Sequence, residues 1–478
     1  MVGNHSTSTA GWDRLQAAID GEVVLPESPR YTELSQPFNG RFDRIRPQAI
    51  ARCSSPNDVA QTLSFIGAER LRSAIRSGGH CFAEHSCTDG IMIDVSGLNT
   101  VSVSAGEVRI GAGARLGHIY DTLEPLGLTI PGGTCPTVGI AGLTLGGGLG
   151  ILGRSYGITS DRLIRAEIVL ADGRTLTCDA EHHSDLYWAV QGAGANGFGV
   201  VTSLTFDPVT IPEASVNIHA RWPLAQAGAV IDGWQHWAPT ATNRLAASLK
   251  VTLPAQLQQP VRVDLYATLL GDKGEAKHLL RQLCDRAHAE PESVTLTPTS
   301  NYFETRRFWA TLGTEQISDA TLTSAAARPE RLYAKAEFFR HPIPVRVIDR
   351  LLAAFLEERT WAQFRELDFM PWKGAYAHRR PHQTAFVHRD ERFLLKQSIS
   401  IPLDASPNLQ ATSARRLDAI SATTRSAESK RCFQNFADPN LSDWAQAYFG
   451  DNYQRLVQVK ARYDPGNMFR HAQSIPTQ

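Results

Sequence analysis

The sequence has few cysteines, and their arrangement suits neither a scaffold nor a metal site. Seven cysteines are scattered over 478 residues, without a single CxxC pair. An odd number of cysteines in so long a chain argues against a disulfide framework, and the lack of close pairs argues against zinc or iron–sulfur ligation. We therefore expect no metal, and we expect at least one cysteine to serve chemistry instead of structure.

Net charge and long apolar runs are also absent. The chain has 48 basic and 48 acidic residues, so its formal net charge is zero. This balance argues against a nucleic-acid partner. The N-terminal residues show neither a basic start with an apolar run nor a twin arginine, and no stretch suits a bilayer span. We expect a cytoplasmic protein without a membrane partner, and the sequence indicates no oligomeric state.

Glycine, by contrast, is abundant and concentrated in the first half of the chain. The segment 131–157 interleaves glycines with apolar residues, so it can bury itself, whereas a flexible linker is polar. Glycine lets a backbone approach a ligand closely and leaves N–H groups free for an anion such as a cofactor pyrophosphate. The segment 192–199 is only a loose echo of a GxGxxG motif and lacks the context of a dinucleotide-binding fold. Several separate glycine loops are therefore expected to cradle the cofactor.

Four motifs occur in a fixed order along the chain. They are "RSGGH" at 76–80, "CPTVG" at 135–139 followed by a glycine triplet, "GFGVVT" at 197–202, and "YFGDNYQRLVQVKARYDPGNMF" at 448–469. This ordered set resembles the berberine bridge enzyme-like family of FAD-linked oxidases, within the vanillyl-alcohol oxidase superfamily. The resemblance covers nearly the whole chain and is thinnest between residues 212 and 400.

The resemblance, together with the glycine distribution, predicts the fold class and the domains. We expect an α+β protein with a two-part, PCMH-type FAD-binding domain at 1–211, whose core starts at about residue 45. A substrate-binding domain with an antiparallel sheet covered by helices should follow at 212–420. The C-terminal segment 421–478 should return to the FAD-binding domain.

The resemblance also implies a covalently bound FAD. In the family, the histidine of "RSGGH" bonds to a methyl carbon of the flavin and the cysteine of "CPTVG" bonds to its C6, which correspond to His80 and Cys135 here. An imidazole and a thiolate are the side-chain nucleophiles best suited to an electron-poor ring near neutral pH. The residues expected to bind the cofactor are Arg76, Ser77, Gly78, Gly79, His80, Cys135, Val138, Gly139, Gly142, Gly146, Gly147, Gly148, Gly199, Val201 and Asn467.

Val138 bears on the electron acceptor. In the family, the residue at this position lies over the flavin edge where oxygen arrives, and a small residue there favours oxidase behaviour. Valine is the smaller choice, so we expect oxygen to be the acceptor. The alternative is that Val138 only packs.

The catalytic residues are less well defined, because the tyrosines usual in the family are absent. Phe82, Leu149, Phe433 and Phe436 occupy the positions at which aromatic or tyrosine residues are usual, so no tyrosinate base can come from "FQNF". Gln397 aligns with the family position for Glu or Gln and is expected to orient the substrate. The candidate bases on the predicted substrate sheet are Glu337, Tyr376, His378 and His388. Glu337 also fits an exposed charge on a strand, and His388 also fits a structural role.

The leading functional hypothesis is an FAD-dependent oxidase. It would remove hydride from a small organic substrate (an alcohol, sugar, phenolic, polyketide or alkaloid-like metabolite) and pass the electrons to O2, giving H2O2. The loss of the tyrosines also admits a flavin-bearing cyclase or binding protein without net redox. A hydrolase without flavin is a third alternative.

Overall fold

The computed structural model describes residues 7–195, 197–311 and 331–478. The chain forms two α+β parts that pack against each other. The first part contains strands β1 (Glu22–Val24), β2 (Ala49–Arg52), β3 (Ser73–Arg76), β4 (Ile91–Asp94), β5 (Val101–Ser104), β6 (Glu107–Gly111), β7 (Leu128–Thr129), β8 (Leu163–Val169), β9 (Thr175–Cys178), β10 (Val200–Phe206) and β11 (Val209–Thr210). Its helices are α1 (Thr9–Ala18), α2 (Tyr31–Ser35), α3 (Pro56–Glu69), α4 (Leu116–Leu123), α5 (Ile140–Leu145), α6 (Gly153–Tyr156) and α7 (Ser184–Val190).

The strands of the first part form two main sheets. One has the order β1-β2-β4-β3, with β4 parallel to both β2 and β3. The other is antiparallel and has the order β5-β6-β10-β8-β9. Helix α3 begins where sequence signals place it, since Ser55 caps the amide of Asp58 and Pro56 occupies the first turn. The loop that follows β3 and the loop that follows β7 meet at Gly78 and Gly139.

The second part is built on one antiparallel sheet of seven strands. The strands are β12 (Ser215–Trp222), β13 (Leu245–Leu253), β14 (Arg262–Leu269), β15 (Ser293–Thr299), β16 (Arg331–Phe339), β17 (Phe364–Pro371) and β18 (Phe393–Ile401), in the order β15-β12-β14-β13-β17-β18-β16. The helices of this part are α8 (Ala227–Trp237), α9 (Lys273–Ala287), α10 (Tyr302–Ala310), α11 (Val345–Leu356) and α12 (Pro407–Ala422).

The two faces of this sheet differ in chemistry. Successive side chains of a strand point to opposite faces. In β18, Leu395 and Ile399 join the apolar core beneath the helices, whereas Leu394 joins a different cluster that contains Ile158 of the first part. One face is therefore covered by helices, and the other, here called the cleft face, is turned toward the first part. Alternate residues of every strand are thus assigned to one face or the other.

The C-terminal segment packs on the first part. Its helices are α13 (Trp444–Phe449) and α14 (Tyr453–Tyr463), and Leu456 and Val459 lie in the same core as β6, β8 and β10. Lys460 is fully buried and donates hydrogen bonds to the carbonyl oxygens of Gly197 and Phe469 at 2.8 and 2.6 Å. This lysine joins the C-terminal segment to the glycine loop before β10.

An aromatic cluster and a buried ion pair hold the two parts together. The Arg389 guanidinium donates two hydrogen bonds, each of 2.8 Å, to the carboxylate of Asp161. The cluster beside it consists of Ile158, Ala336, Phe338, Trp372, Tyr376, Phe386, Leu394 and Phe433. Such an interface favours a fixed arrangement of the two parts.

Two features are absent from the residues that the structure describes. No cluster of three or more His, Cys, Asp or Glu side chains suited to a metal ion occurs there. No helix within the same ranges combines the length and apolarity that a membrane crossing needs.

Candidate active site

Two glycine loops of the first part meet at a distance that only glycine allows. A Cβ added to Gly78 would lie 2.2 Å from the backbone nitrogen of Gly139, and one added to Gly139 would lie 2.3 Å from the backbone nitrogen of Gly78. Neither atom could be accommodated without moving the backbone. The contact therefore explains both glycines, and it brings the loop that ends at His80 against the loop that starts at Cys135.

His80 and Cys135 converge on one hydroxyl group. The Nε2 atom of His80 lies 2.8 Å from the Oγ1 atom of Thr137, and the Sγ atom of Cys135 lies 3.3 Å from the same oxygen. The two residues expected to bond the flavin are therefore close together. The sequence analysis did not single out Thr137, although it stands in the "CPTVG" motif.

The environment of His80 keeps its imidazole neutral. Its ring stacks on Phe38 with a centroid distance of 4.0 Å. Burial, with a smaller contribution from the Arg115 guanidinium, lowers the pKa of His80 to about 4. A neutral imidazole has a free lone pair on one nitrogen, which a nucleophile needs. The Nε2 atom contacts Thr137, and the Nδ1 atom makes no hydrogen bond within the described residues.

Arg76 and Ser77 hold the first loop in shape. The buried guanidinium of Arg76 donates to the carbonyl oxygens of Ser35 and Ser86, each at 2.9 Å. The Ser77 hydroxyl donates to the carbonyl oxygen of Ala112 at 2.7 Å. The expectation that Arg76 binds the cofactor thus applies at most to its backbone, because its side chain is committed to the protein.

The first loop still offers donors to a ligand. Gly79 has a φ of 71°, a conformation that favours glycine, and the N–H groups of Gly79 and His80 find no acceptor among the described residues. Unpaired N–H groups in such a turn can bind an anion.

The glycine triplet packs against side chains from elsewhere in the chain. A Cβ on Gly146 would lie 2.2 Å from the Asn435 amide, and one on Gly148 would lie 2.2 Å from the Thr159 hydroxyl oxygen. Gly147 has a φ of 108° and touches the Phe386 ring in the same way. The triplet thus shapes the segment by close packing.

Gly142 differs from the triplet. A Cβ there would meet nothing within 4 Å, so it alone of the four glycines between 142 and 148 borders open space. Its carbonyl oxygen accepts a hydrogen bond of 3.1 Å from the Asn435 amide. The backbone at Gly142 is therefore fixed while its α-carbon remains open to a ligand.

The remaining predicted cofactor residues lie around the same loops. Val138 is half-buried and packs on the core of the first part, three residues after Cys135. Gly199 and Val201 line a cavity beside β10, together with Leu145. Asn467 adopts a left-handed conformation, with φ of 49°, and its Oδ1 atom is buried without a hydrogen-bond partner. A buried carbonyl oxygen of this kind is well suited to accept a hydrogen bond from a bound molecule.

The cleft face of the sheet carries a cluster of four charged side chains that the sequence analysis missed. The Nζ atom of Lys250 lies 2.9 Å from Glu366 and 3.5 Å from Asp368, and the Nζ atom of Lys396 lies 3.1 and 3.6 Å from the same carboxylates. We call these four residues the charged floor. Lys396 also lies over the Phe436 ring at 5.7 Å, and Phe436 stacks on Phe82 at 5.1 Å. The charged floor is therefore linked to the loop that bears His80.

The charged floor follows from strand register. Lys250 lies directly opposite Asp368, and Asp368 lies directly opposite Lys396, so opposite charges alternate across β13, β17 and β18. The row extends to Asp264 opposite Lys250, and Asp264 accepts a hydrogen bond of 2.8 Å from Arg221. Cross-strand neighbours of opposite charge stabilise such a sheet. The charges come from separate strands, and Lys250 lies more than a hundred residues from Asp368 in sequence, so no local motif marks them.

The assignment of Glu337 and Gln397 to catalysis is corrected by the same register. Both side chains point to the helix-covered face, where the Gln397 amide donates to Glu337 at 2.9 Å. The Ser421 hydroxyl, at the end of α12, donates to the other Glu337 oxygen at 2.6 Å. Each residue is one position away from a cleft-facing neighbour, and a shift of one residue moves a side chain to the opposite face. Glu337 is also not the exposed strand charge considered as the alternative.

Tyr376 and the two candidate histidines also do not reach the cleft. Tyr376 is buried, stacks on Trp372 at 4.3 Å and donates to the carbonyl oxygen of Gly150 at 3.3 Å. His388 is buried in the same cluster, and burial lowers its pKa to about 3. His378 is exposed on the surface. These residues therefore join the two parts or face solvent.

A serine motif in the first part bears on the hydrolase alternative. The stretch from Gly153 to Gly157 reads GRSYG, which has the spacing of a hydrolase nucleophile elbow. Ser155 lies inside the short helix α6, and its hydroxyl donates to the carbonyl oxygen of Asn243 at 3.0 Å. A nucleophile elbow needs a serine exposed at a strand-to-helix turn beside a histidine base, and α6 does not provide this geometry.

The residues present fit a flavin dinucleotide. The loops offer a neutral imidazole and a half-buried thiol that share one hydroxyl, with unpaired N–H groups at Gly79 and His80. Open space at Gly142 and the unpartnered Oδ1 atom of Asn467 lie on neighbouring elements. Backbone donors for a pyrophosphate and two nucleophiles for the ring are what a covalently held FAD requires.

Comparisons with known proteins point to the same cofactor. Residues 47–179 match the model of the FAD binding domain, and residues 432–476 match the model described as berberine and berberine-like. The chain is 31% identical over 471 residues to the FAD-linked oxidoreductase YgaK of Bacillus subtilis (strain 168), which covers 96% of this chain and 97% of that protein.

Solved structures show the same fold. The structure of BBE-like 1 from Physcomitrella patens superimposes with a TM-score of 0.88 at 24% identity and covers 98% of this chain and 99% of that chain. A structure of glucooligosaccharide oxidase from Acremonium strictum, described as carrying a 6-S-cysteinyl, 8α-N1-histidyl FAD, superimposes with a TM-score of 0.87 at 23% identity over 98% of this chain and 99% of that chain. The expected α+β fold is confirmed. The chain belongs to the berberine bridge enzyme-like family of FAD-linked oxidoreductases, with a PCMH-type FAD-binding domain and a berberine bridge enzyme-like domain.

Proposed function

We propose that this FAD-linked oxidoreductase is an oxidase that holds FAD through both His80 and Cys135 and oxidises a small hydroxylated substrate with O2. The observation that carries the proposal is the convergence of the imidazole and the thiol on the Thr137 hydroxyl, at 2.8 and 3.3 Å. The same two residue types hold the flavin in the Acremonium strictum enzyme, according to its description. Two anchors fix the cofactor without enclosing it, which leaves the cleft open to substrate.

FAD, when bound, supplies the hydride acceptor for the substrate carbon. The protein must then remove a proton from the substrate hydroxyl, and the described residues offer a carboxylate for this on the cleft face. We assign this role to the Oδ2 atom of Asp368. Its Oδ1 atom accepts a hydrogen bond from Ser248, and Oδ2 lies 3.5 and 3.6 Å from the lysines of the charged floor.

Asp368 suits this role better than Glu366. Burial acts to raise the pKa of Glu366, but Lys250 and Lys396 outweigh it and lower the pKa to about 2. A carboxylate so strongly held is a poor proton acceptor near neutral pH. Asp368 forms longer contacts with both lysines. The attraction to the lysines that is lost when its Oδ2 atom accepts a proton is therefore smaller than for Glu366.

The chemistry of the charged floor also bears on the substrate class. Lys250, Lys396, Glu366 and Asp368 offer ammonium donors and carboxylate acceptors in alternation, and aromatic rings at Phe82 and Phe436 border them. Alternating donors and acceptors match a molecule with several hydroxyl groups. We therefore propose an alcohol or sugar as substrate, in preference to an apolar alkaloid.

Oxygen as electron acceptor is part of the proposal and rests on Val138. The side chain is small and half-buried, and it stands in the loop that carries Cys135. A small residue there leaves room for oxygen to approach the ring. The resemblance to the family gives this position its role.

An oxygen electrode tests the proposal on the purified protein. Alcohols, sugars, phenols and cyclic amines are supplied in turn, and both oxygen uptake and peroxide are measured. Oxygen uptake with peroxide formation is expected for a hydroxylated compound. If no compound consumes oxygen and the chemically reduced flavin reoxidises slowly in air, the oxidase proposal is wrong and the flavin-bearing protein without net redox is favoured.

A matched pair of variants tests the proton acceptor. Asp368→Asn removes the carboxylate from the cleft face, and Glu337→Gln makes the same chemical change on the opposite face of the sheet. Loss of a positioned general base lowers turnover by about a hundredfold or more, so Asp368→Asn should do this while it retains flavin. Equal turnover in Asp368→Asn and the wild type would overturn the assignment.

A further inference from the structure

Thr137 lies between the two residues that are proposed to bond the flavin. Its hydroxyl stands between the two nucleophiles, 2.8 Å from the His80 imidazole and 3.3 Å from the Cys135 thiol. The backbone of the loop is fixed independently, since the amide of Val138 donates to the carbonyl oxygen of Cys135 at 3.3 Å. The hydroxyl is therefore available to act on the side chains on either side of it.

One orientation of the protons satisfies both contacts. If Nε2 of His80 carries the proton and donates to Oγ1 of Thr137, the hydroxyl proton is free to point to Sγ of Cys135. In this arrangement the Nδ1 lone pair of His80 is unprotonated, and the sulfur receives a hydrogen bond that favours the thiolate. The opposite arrangement, with the hydroxyl donating to Nε2, places the proton on Nδ1 and removes the donor from the sulfur.

We propose that Thr137 is the positioning residue for flavin attachment, because its hydroxyl selects the nucleophilic tautomer of His80 and at the same time activates Cys135. This inference rests on the proposed attachment of FAD through both residues. Under this proposal one hydroxyl group, that of Thr137, controls the formation of both bonds to the flavin. Thr137 acts through His80 and Cys135 and forms no bond of its own to the flavin.

The overall chemistry of each attachment balances with oxygen as the oxidant. At His80, a C–H bond of the flavin methyl group and the imidazole N–H bond are lost, and one N–C bond forms. At Cys135, the C–H bond at flavin C6 and the S–H bond are lost, and one S–C bond forms. Each attachment releases two electrons and two protons, which reduce one O2 to H2O2. Thr137 gains and loses no bond in either attachment and acts only through its hydrogen bonds to the imidazole and the sulfur.

Two substitutions separate the hydroxyl from the shape of Thr137. Thr137→Val keeps the branched shape and removes the hydroxyl, whereas Thr137→Ser keeps the hydroxyl and removes a methyl group. Each protein is isolated from cells grown with limiting flavin, so that little flavin is attached at the start, and is then incubated with FAD in air. Intact-protein mass spectrometry follows the fraction with covalent flavin over time, in the wild-type background and in the single-anchor backgrounds His80→Ala and Cys135→Ala.

The inference predicts a defined pattern of rates. Loss of one hydrogen bond to a reacting group costs about tenfold in rate, so Thr137→Val should attach flavin at least about tenfold more slowly in both single-anchor backgrounds. Thr137→Ser should attach it at close to the wild-type rate. Thr137→Ala gives a second test of the hydroxyl if the valine variant does not fold.

The outcomes distinguish this inference from the proposed function. Attachment in Thr137→Val as fast as in the wild type would overturn the role of the hydroxyl. A normal valine variant with a slow serine variant would show that the residue acts by packing, which also overturns it. A wild-type protein that never gains covalent flavin would instead refute the proposed double attachment.

Discussion

Replacement of Glu337 by glutamine tests the assignment of sheet faces. The sequence made Glu337 a candidate catalytic base, whereas the structure makes it a buried structural acid. Glu337 lies on the helix-covered face, with hydrogen bonds from Gln397 and Ser421. Burial, with a smaller contribution from Glu428, raises the pKa of Glu337 from 4.5 to about 7. The folded protein therefore favours the protonated, neutral form of this side chain more than the unfolded chain does.

The sign and size of the effect follow from that pKa. Below about pH 4.5 the side chain is protonated in both states, so it adds no pH-dependent cost. As pH rises from 4.5 to about 7, the unfolded chain releases the proton while the folded protein retains it, and stability falls. The interval corresponds to about 3 kcal/mol at 1.36 kcal/mol per pH unit, an upper limit for a group with polar partners.

The Glu337→Gln variant removes this cost. Its side chain is neutral at every pH. The Oε1 atom of Gln397 is buried and has no hydrogen-bond partner. Once the Gln397 side chain has flipped, this oxygen can accept a hydrogen bond from the new amide at position 337. Relative to the wild type, the variant should gain stability between pH 4.5 and 7 and keep a constant advantage above pH 7. Denaturant unfolding at a series of pH values measures this difference, and turnover measures the catalytic side. A fall in turnover by tenfold or more in a folded variant would refute the face assignment, and a pH-independent difference would refute the buried, protonated glutamate.

Three further predictions concern the frame of the site. Arg389→Met removes the fully buried partner of Asp161 and leaves that carboxylate only the partly exposed Arg379 at 3.3 Å, so it should cost up to about 3–5 kcal/mol of unfolding free energy, most of which the double variant with Asp161→Asn should restore. No such recovery in the double variant would contradict the ion-pair account. Gly139→Ala places a Cβ 2.3 Å from the Gly78 nitrogen, so it should lower stability by about 1–3 kcal/mol and reduce covalent flavin in acid-precipitated protein. Unchanged flavin content would show that the two loops need not touch. Val138→Leu narrows the space beside Cys135 and should slow reoxidation of the reduced flavin in stopped-flow measurements, while a rate equal to that of the wild type would remove Val138 from the oxygen path.

The parts of the site that reside in short motifs could be predicted from sequence. The resemblance assigns "RSGGH" and "CPTVG" to one cofactor site, and the structure brings Gly78 of the first motif into contact with Gly139 of the second, a contact that the sequence did not predict. The glycine-rich first half and the alternating strands of the second half likewise predicted the α+β fold. The domain boundaries at 211 and 420 stay a prediction.

The parts that depend on strand register could not be predicted. Gln397 and Lys396 are neighbours in sequence, yet they point to opposite faces, and only the pairing of β18 with β16 and β17 decides which one reaches the cleft. The charged floor is formed by side chains from three strands, so no local pattern marks it. A signal was present in the charged positions of "RELDF" and "LLKQS", because charges inside otherwise apolar strands require partners.

Arg76 and Thr137 show a second limit of motif reading. Arg76 stands in the motif beside His80, but its guanidinium binds carbonyl oxygens of the protein instead of a ligand. Thr137 was not among the expected cofactor residues, although it stands in "CPTVG" and its hydroxyl contacts both nucleophiles. A motif indicates which residues lie near a site, whereas only distances indicate which atoms face each other.

The most direct measurement is the intact mass of the flavin-replete protein and of three variants: His80→Ala, Cys135→Ala and the double variant. We predict the mass of the polypeptide plus one FAD for the wild type and for each single variant, and the bare polypeptide mass for the double variant. A bare polypeptide mass for the wild type, or a covalent flavin in the double variant, would contradict the joint attachment through His80 and Cys135.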